Sequence, residues 1–212
     1  MSASDKAFWD KSAKSYSKSK VSDQPGYERT LNLSKSYLNK TDKVLELGCG
    51  TGSSAFILAP SAAKYLATDI SSEMIKIANE KHEAQDQVPG LEFRVATAED
   101  VAKDGLKFNA VLGYNYLHLL HDPWGTVRTV RDMLEDGGLF ISKTACLMDM
   151  NPLMRWVLLP VMQVVGKAPH VDSFTGGELR KRIEEAGFEI LLDEVHASKG
   201  DDGRPFIVAR KK

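Results

Sequence analysis

Along the chain, short apolar runs alternate with longer stretches whose apolar residues recur every three or four positions. Helical spacing is expected around Phe8 to Tyr16 and again around Tyr27 to Leu38. "KVLEL" (Lys43 to Leu47) is a short apolar run that ends in glycines, as a buried strand entering a turn does, and a helix should follow from Ser53. "KYLATD" (Lys64 to Asp69) is a second strand. "SSEMIKIANEKHEA" (Ser71 to Ala84) is a helix with Ser71 as its cap and Met74, Ile75 and Ala78 on one stripe. "LEFRVAT" (Leu91 to Thr97) alternates as a third strand, and "FNAVLGYN" (Phe108 to Asn115) is a fourth. "PWGTVRTVRDMLEDGG" (Pro123 to Gly138) is expected to be helical up to its glycine stop, with Val127, Val130 and Leu134 on one face. "LFISKTA" (Leu139 to Ala145) is the fifth strand. Thr175 and Glu178 have the spacing of a capping box, Leu179, Ile183 and Ala186 follow on one stripe, and Gly187 stands where that helix should end. "FEILLDEVHA" (Phe188 to Ala197) and "RPFIVARK" (Arg204 to Lys211) flank the turn-rich "SKGDDG" and form a terminal hairpin.

Strands that alternate with helices and then close in a hairpin predict an α/β fold. The expected architecture is a doubly wound, mostly parallel seven-stranded sheet with helices on both faces and a C-terminal antiparallel hairpin. Ligands of such sheets bind beyond the carboxyl ends of the strands, at the switch point in strand order.

A length of 212 residues suits one domain with one sizeable core, and the formal net charge of -1 offers no global field for nucleic acid. The lysines Lys11, Lys14, Lys18 and Lys20 are balanced by Asp5, Asp10 and Asp23, so a solvated helix face is expected rather than a polynucleotide footprint. Two cysteines make no disulfide framework, the first residues lack the apolar core of a signal peptide, and a cytoplasmic protein is expected.

The chemistry lies in "VLELGCGTG" (Val44 to Gly52). A strand-to-helix turn rich in glycine lets backbone approach a nucleotide-like ligand without a Cβ in the way, and the helix beyond favours negative groups. A dinucleotide turn needs Gly-x-Gly-x-x-Gly, but here Gly48, Gly50 and Gly52 alternate and Ser53 stands where the third glycine would fall. Glu46 adds a carboxylate that would repel a pyrophosphate and attract an ammonium or sulfonium. No Gly-Lys-Ser/Thr follows, which excludes a phosphate-loop hydrolase. The stretch, with "LATDIS" downstream, resembles motifs I and II of the class I S-adenosylmethionine-dependent methyltransferases, and the order of elements is similar from about Phe8 to Lys211.

The resemblance implies a single Rossmann-like domain over 1–212, with an N-terminal helical cap over about 1–40 and an apolar lid insert over about 147–172. It implies S-adenosylmethionine as cofactor, no metal, and a role for each matching position. Gly48, Cys49 and Gly50 would give backbone contacts to the methionine part, with Glu46 facing its ammonium directly or through water. Asp69 would accept from both ribose hydroxyls, and Ile70 and Met74 would flank the adenine. Relatives often carry an acid at the position of Thr97, so the adenine amino group is expected instead at Glu99 or at the backbone of Ala98. Asn115 would turn its carbonyl to the sulfonium side, and Tyr16 would close over the methionine end, as an aromatic does in the ubiquinone and menaquinone methyltransferases.

Methyl transfer is an in-line displacement in which alignment supplies most of the catalysis. For a hydroxyl or thiol acceptor the candidate base is His118 in "YNYLHLLHD", with His121 second. The absence of an Asn/Asp-Pro-Pro-Tyr/Phe tetrapeptide after the fourth strand argues against nucleic-acid adenine. "NPLMRWVLLPVMQVVG" (Asn151 to Gly166) is too short and too interrupted to span a membrane. It reads as a helix packed on the body, a lid over an apolar acceptor, or an interfacial contact. The expected function is methyl transfer to a small, partly apolar acceptor at O, S, N or C. The alternatives are an RNA or protein methyltransferase, a nicotinamide-dependent oxidoreductase, or a non-catalytic cofactor-binding subunit. The oligomeric state has no signal in the sequence.

Overall fold

The computed structural model describes residues 2–84, 87–149, 170–200 and 203–212. Of the apolar insert, residues 150–169 lie outside the described residues. Among the described residues no helix is long and apolar enough to cross a membrane.

Seven strands form one sheet: β1 (Lys43–Leu47), β2 (Lys64–Asp69), β3 (Leu91–Val95), β4 (Phe108–Tyr114), β5 (Leu134–Lys143), β6 (Phe188–Val195) and β7 (Pro205–Lys211). Their order is β3-β2-β1-β4-β5-β7-β6, parallel through β5, with β7 antiparallel to both β5 and β6. The chain winds outward from β1 to β3, then crosses back to lay β4 on the other side of β1. A crevice therefore opens at the carboxyl ends of β1 and β4. This is the fold the apolar spacing predicts.

Both faces of the central strands are covered, and strand alternation sorts their side chains between two cores. Leu45, Leu47 and Val111 pack with Val127, Val130 and Ile183, which belong to α6 (Pro123–Met133) and α7 (Gly176–Glu185). Val44, Ala110 and Leu112 pack with Leu31, Ala55 and Ile75, from α2 (Gln24–Ser36), α3 (Ser53–Leu58) and α4 (Ser72–Ala84). Two further α-helices are found among the described residues, α1 (Ala3–Tyr16) and α5 (Ala98–Lys103).

Local chemistry sets the helix ends. Ser71 Oγ accepts from the Met74 N–H at 3.1 Å, Thr175 Oγ1 accepts from the Glu178 N–H at 3.0 Å, and Gly187 takes φ 92° just after α7. The α6 helix departs from its expected end at Gly138. It stops at Met133, and Leu134, fully buried, turns extended with ψ 144° and pairs with Phe108 on β4. Burial of Leu134 in the sheet, with Gly137 at φ 74°, makes the glycine pair a kink in β5 instead of a helix cap. The third strand also ends early, because Thr97 caps α5: its hydroxyl accepts from the Asp100 N–H at 3.2 Å.

Candidate active site

At the carboxyl end of β1 the three alternating glycines all sit in the left-handed region, Gly48 at φ 69°, Gly50 at 55° and Gly52 at 81°. The turn is tied to β2 by the Cys49 N–H, which donates to the Thr68 carbonyl at 2.9 Å. All three glycines also make room for rings, Gly52 for that of Phe93, which a Cβ there would meet at 2.7 Å. A Cβ on Gly48 would lie 2.6 Å from the Tyr116 ring, and one on Gly50 would lie 3.3 Å from the Tyr16 ring. At the end of β2, the Asp69 carboxylate accepts from the Gly50 N–H at 2.9 Å and the Ser71 N–H at 2.8 Å. Burial raises its pKa against the pull of these two donors. A ligand able to donate further hydrogen bonds there would offset that desolvation.

Around the turn lies a cavity of about 230 Å³. Nine of the residues expected at the site line it: Tyr16, Gly48, Gly50, Asp69, Ile70, Met74, Thr97, Asn115 and His118. Tyr16 and Trp9, in edge contact at 6.4 Å between ring centroids, bring α1 over its mouth. Asp10 holds α1 in place by accepting from Ser71 Oγ at 2.7 Å and from the Glu73 N–H at 3.2 Å, at the start of α4. Although burial works against it, the Lys6 and Ser71 hydrogen bonds hold the Asp10 carboxyl at about 2. On the β4 side, Asn115 takes φ 50°, rare for a side-chain-bearing residue, and its N–H donates to the Lys143 carbonyl at 2.6 Å. That bend carries the chain into His118. Its Nδ1 lies 2.9 Å from Thr144 Oγ1 and 3.4 Å from the Ala145 N–H. Burial first, and then the charge of Arg204, pull the imidazole down to about 4, so it is neutral at pH 7.

Five expected residues do not line this cavity. Glu46 shares its strand face with Val44 and points into the core, where it accepts from Ser54 Oγ and from the Tyr65 hydroxyl, the latter at 2.7 Å. Burial raises its pKa, against the pull of the Ser54 and Tyr65 hydrogen bonds. Cys49 is buried, with its thiol pushed well up by burial, as suits an inert turn residue. Ala98 is fully buried at the start of α5, and the carboxylate of the next residue, Glu99, accepts from Thr126 Oγ1 of α6 at 3.3 Å. His121 leaves the cavity altogether: its Nε2 pairs with Asp5 of α1 at 2.9 Å and its ring stacks on His170 at 3.8 Å.

Trp9, Ala96, Tyr114, Tyr116 and Leu119, none of them expected from the sequence, complete the lining. Trp9 stands seven residues before Tyr16 on one helix, a spacing that puts both on one face and could have been read. Tyr116 carries no such signal, since it reaches the turn only by folding back over Gly48. Among the described residues, no group of three or more His, Cys, Asp or Glu could hold a metal ion.

Residues 23–192 match the family model described as "Methyltransferase domain". The chain belongs to that family. Its fold is the class I, S-adenosylmethionine-dependent form of the methyltransferase domain. The ubiquinone biosynthesis O-methyltransferase of Cereibacter sphaeroides is 28% identical over 153 residues, covering 69% of this chain and 60% of that one. The chain thus spans about 60% of the length of such curated relatives. Among solved structures, the CcbJ methyltransferase from Streptomyces caelestis superimposes with a TM-score of 0.75 at 20% identity, over 98% of each chain. The magnesium protoporphyrin IX methyltransferase of Synechocystis, solved with SAH bound, gives 0.71 at 17% identity, over 98% of this chain and 100% of that one.

Proposed function

We propose that this methyltransferase transfers the methyl group of S-adenosylmethionine to a small, partly apolar acceptor, with a hydroxyl oxygen as the first choice of nucleophile. One arrangement carries the reading: two left-handed glycines, Gly48 and Gly50, and the Asp69 carboxylate on one rim of a cavity, with a neutral histidine on the other. The residues present fit the cofactor. Gly48 and Gly50 leave backbone open beside the cavity, Asp69 offers acceptors suited to ribose hydroxyls, and Ile70 and Met74 supply apolar walls for a flat base. When bound, S-adenosylmethionine supplies a methyl group on a sulfonium for in-line displacement.

The chain's own residues do the remaining work. Trp9 and Tyr16 exclude water at the mouth. His118 stands where it can receive the proton of an acceptor hydroxyl. For Nε2 to take that proton, Nδ1 must carry the ring hydrogen and donate to Thr144 Oγ1, giving up the 3.4 Å bond it accepts from the Ala145 N–H. The oxygen nucleophile is supported by the name of the Cereibacter relative, an O-methyltransferase. The test is ligand-dependent stability. S-adenosylmethionine or S-adenosylhomocysteine at 100 times its Kd should stabilise the protein by about 2.7 kcal/mol. Thermal shifts with NAD(H) or NADP(H) alone, and none with either methionine nucleoside, would overturn the assignment.

A further inference from the structure

A second cavity, of about 360 Å³, adjoins the first, and Tyr114, Asn115 and His118 line both. Its far side is built from separate elements: Tyr27 on α2, Lys143 at the end of β5 and Arg204 just before β7. Lys143 lies opposite Phe206 across the β5–β7 pair, so Arg204, two residues before Phe206, falls on the same side of the sheet. We propose that this second cavity takes the methyl acceptor as a small hydroxy acid, with its carboxylate against Lys143 and Arg204 and its hydroxyl beside His118. The assignment rests on the methyltransferase reading above.

Charge and shape both favour such an acid. The acid in the lining, Asp23, is already engaged, accepting from the Gly26 N–H at 3.1 Å and the Ser198 N–H at 2.8 Å. Lys143 Nζ donates to Thr30 Oγ1 at 3.3 Å, and an ammonium carries three donors in all and a guanidinium five. Neither cation therefore has to be free of other contacts to meet a carboxylate, and Arg204 can do so in bidentate fashion. The phenol face of Tyr27 and the side chain of Leu31 offer the apolar walls that the body of an aromatic acid needs. The cavity volume is in the range of small-ligand sites. Placing the anion at Arg204 also acts on the base. The guanidinium charge is one of two influences holding the imidazole down, and a bound carboxylate offsets it. The acceptor itself would thus sharpen the histidine that deprotonates it.

The experiment compares hydroxybenzoates and hydroxycinnamates with their methyl esters and carboxamides, using radiolabelled S-adenosylmethionine and the full chain. The acids should show kcat/KM at least tenfold above their neutral counterparts. Arg204→Gln should raise KM for the acids tenfold or more and abolish that preference, with part of it restored in Arg204→Lys. Lys143→Gln provides a second variant should the first fold poorly. Binding of S-adenosylhomocysteine, measured separately by calorimetry, should be unchanged in all three. Esters equal to or better than acids in the unmodified protein would overturn the proposal. So would an acid preference that survives Arg204→Gln, or no turnover of any acid by a protein that binds S-adenosylhomocysteine. Failure to bind the cofactor at all would instead sink the methyltransferase reading beneath it.

Discussion

The two halves of the crevice are built in opposite ways. The half proposed for the cofactor comes from one short span of chain: Gly48, Gly50, Asp69, Ile70 and Met74 all lie within β1 to α4. The half proposed for the acceptor is assembled from α2, the loop after β4, the end of β5 and the lead into β7, with Tyr27, His118, Lys143 and Arg204 drawn from across the sequence. A ligand common to a whole family can be held by a contiguous motif whose backbone does the binding. An acceptor particular to one member must be held by side chains, and those can be exchanged one strand at a time without disturbing the turn.

The contrast breaks most easily at His118. His118→Ala should lower kcat by roughly 100-fold to 10,000-fold while leaving S-adenosylhomocysteine affinity intact, as measured by single-turnover kinetics and calorimetry. A variant with full kcat would remove the base from the mechanism. Asp69→Ala does the reverse. It should weaken S-adenosylhomocysteine by roughly 100-fold, the loss of two hydrogen bonds to a carboxylate, with kcat at saturation much less affected. Unchanged affinity would withdraw the ribose assignment.

Acid titration sharpens the same division. With His118 held at about 4 in the fold against 6.5 in the open chain, the unfolded state binds a proton that the folded state does not throughout the window between them. Stability should therefore fall as pH drops from about 6.5 to about 4, by at most on the order of 3 kcal/mol, and this component should disappear in His118→Asn. Urea unfolding across that range measures it. The acid limb of kcat/KM in the free enzyme should likewise lie nearer 4 than 6.5. The smallest effect is expected at His121. Because it pairs with Asp5 outside the cavity, His121→Ala should change kcat less than about twofold, in contrast to its neighbour three residues away.

Legibility from sequence followed the same line. The strand and helix order, the sheet's hairpin edge and the glycine turn are local patterns, and each appears in the structure where its residues predict it. Asp69, Ile70 and Met74 came to the cavity because a strand end followed by a capped helix fixes where side chains point. Glu46 did not, since a strand buried on both faces gives no sequence signal for which side an alternate residue takes. Here it took the side of Tyr65 and Ser54. Leu134 read as a helical residue by its spacing from Val130, yet its burial against β4 decided for the strand. His121 and His118 look alike in sequence, and only the fold of the loop separates the one that faces the cavity from the one that fastens α1. Lys143 and Arg204, 61 positions apart in the numbering, become neighbours only through the antiparallel pairing of β5 with β7.

Helix α1 buries a single apolar side chain, Ala13, together with Asp5, and it is held to the body largely by polar contacts at Asp5 and Asp10. Besides Ala13 only the half-buried Phe8 and Trp9 and these few polar contacts would have to part from the body on opening it, a lower cost than parting the sheet beneath. The mouth of the cavity is thus fastened by polar contacts that can break while the hydrophobic cores stay closed.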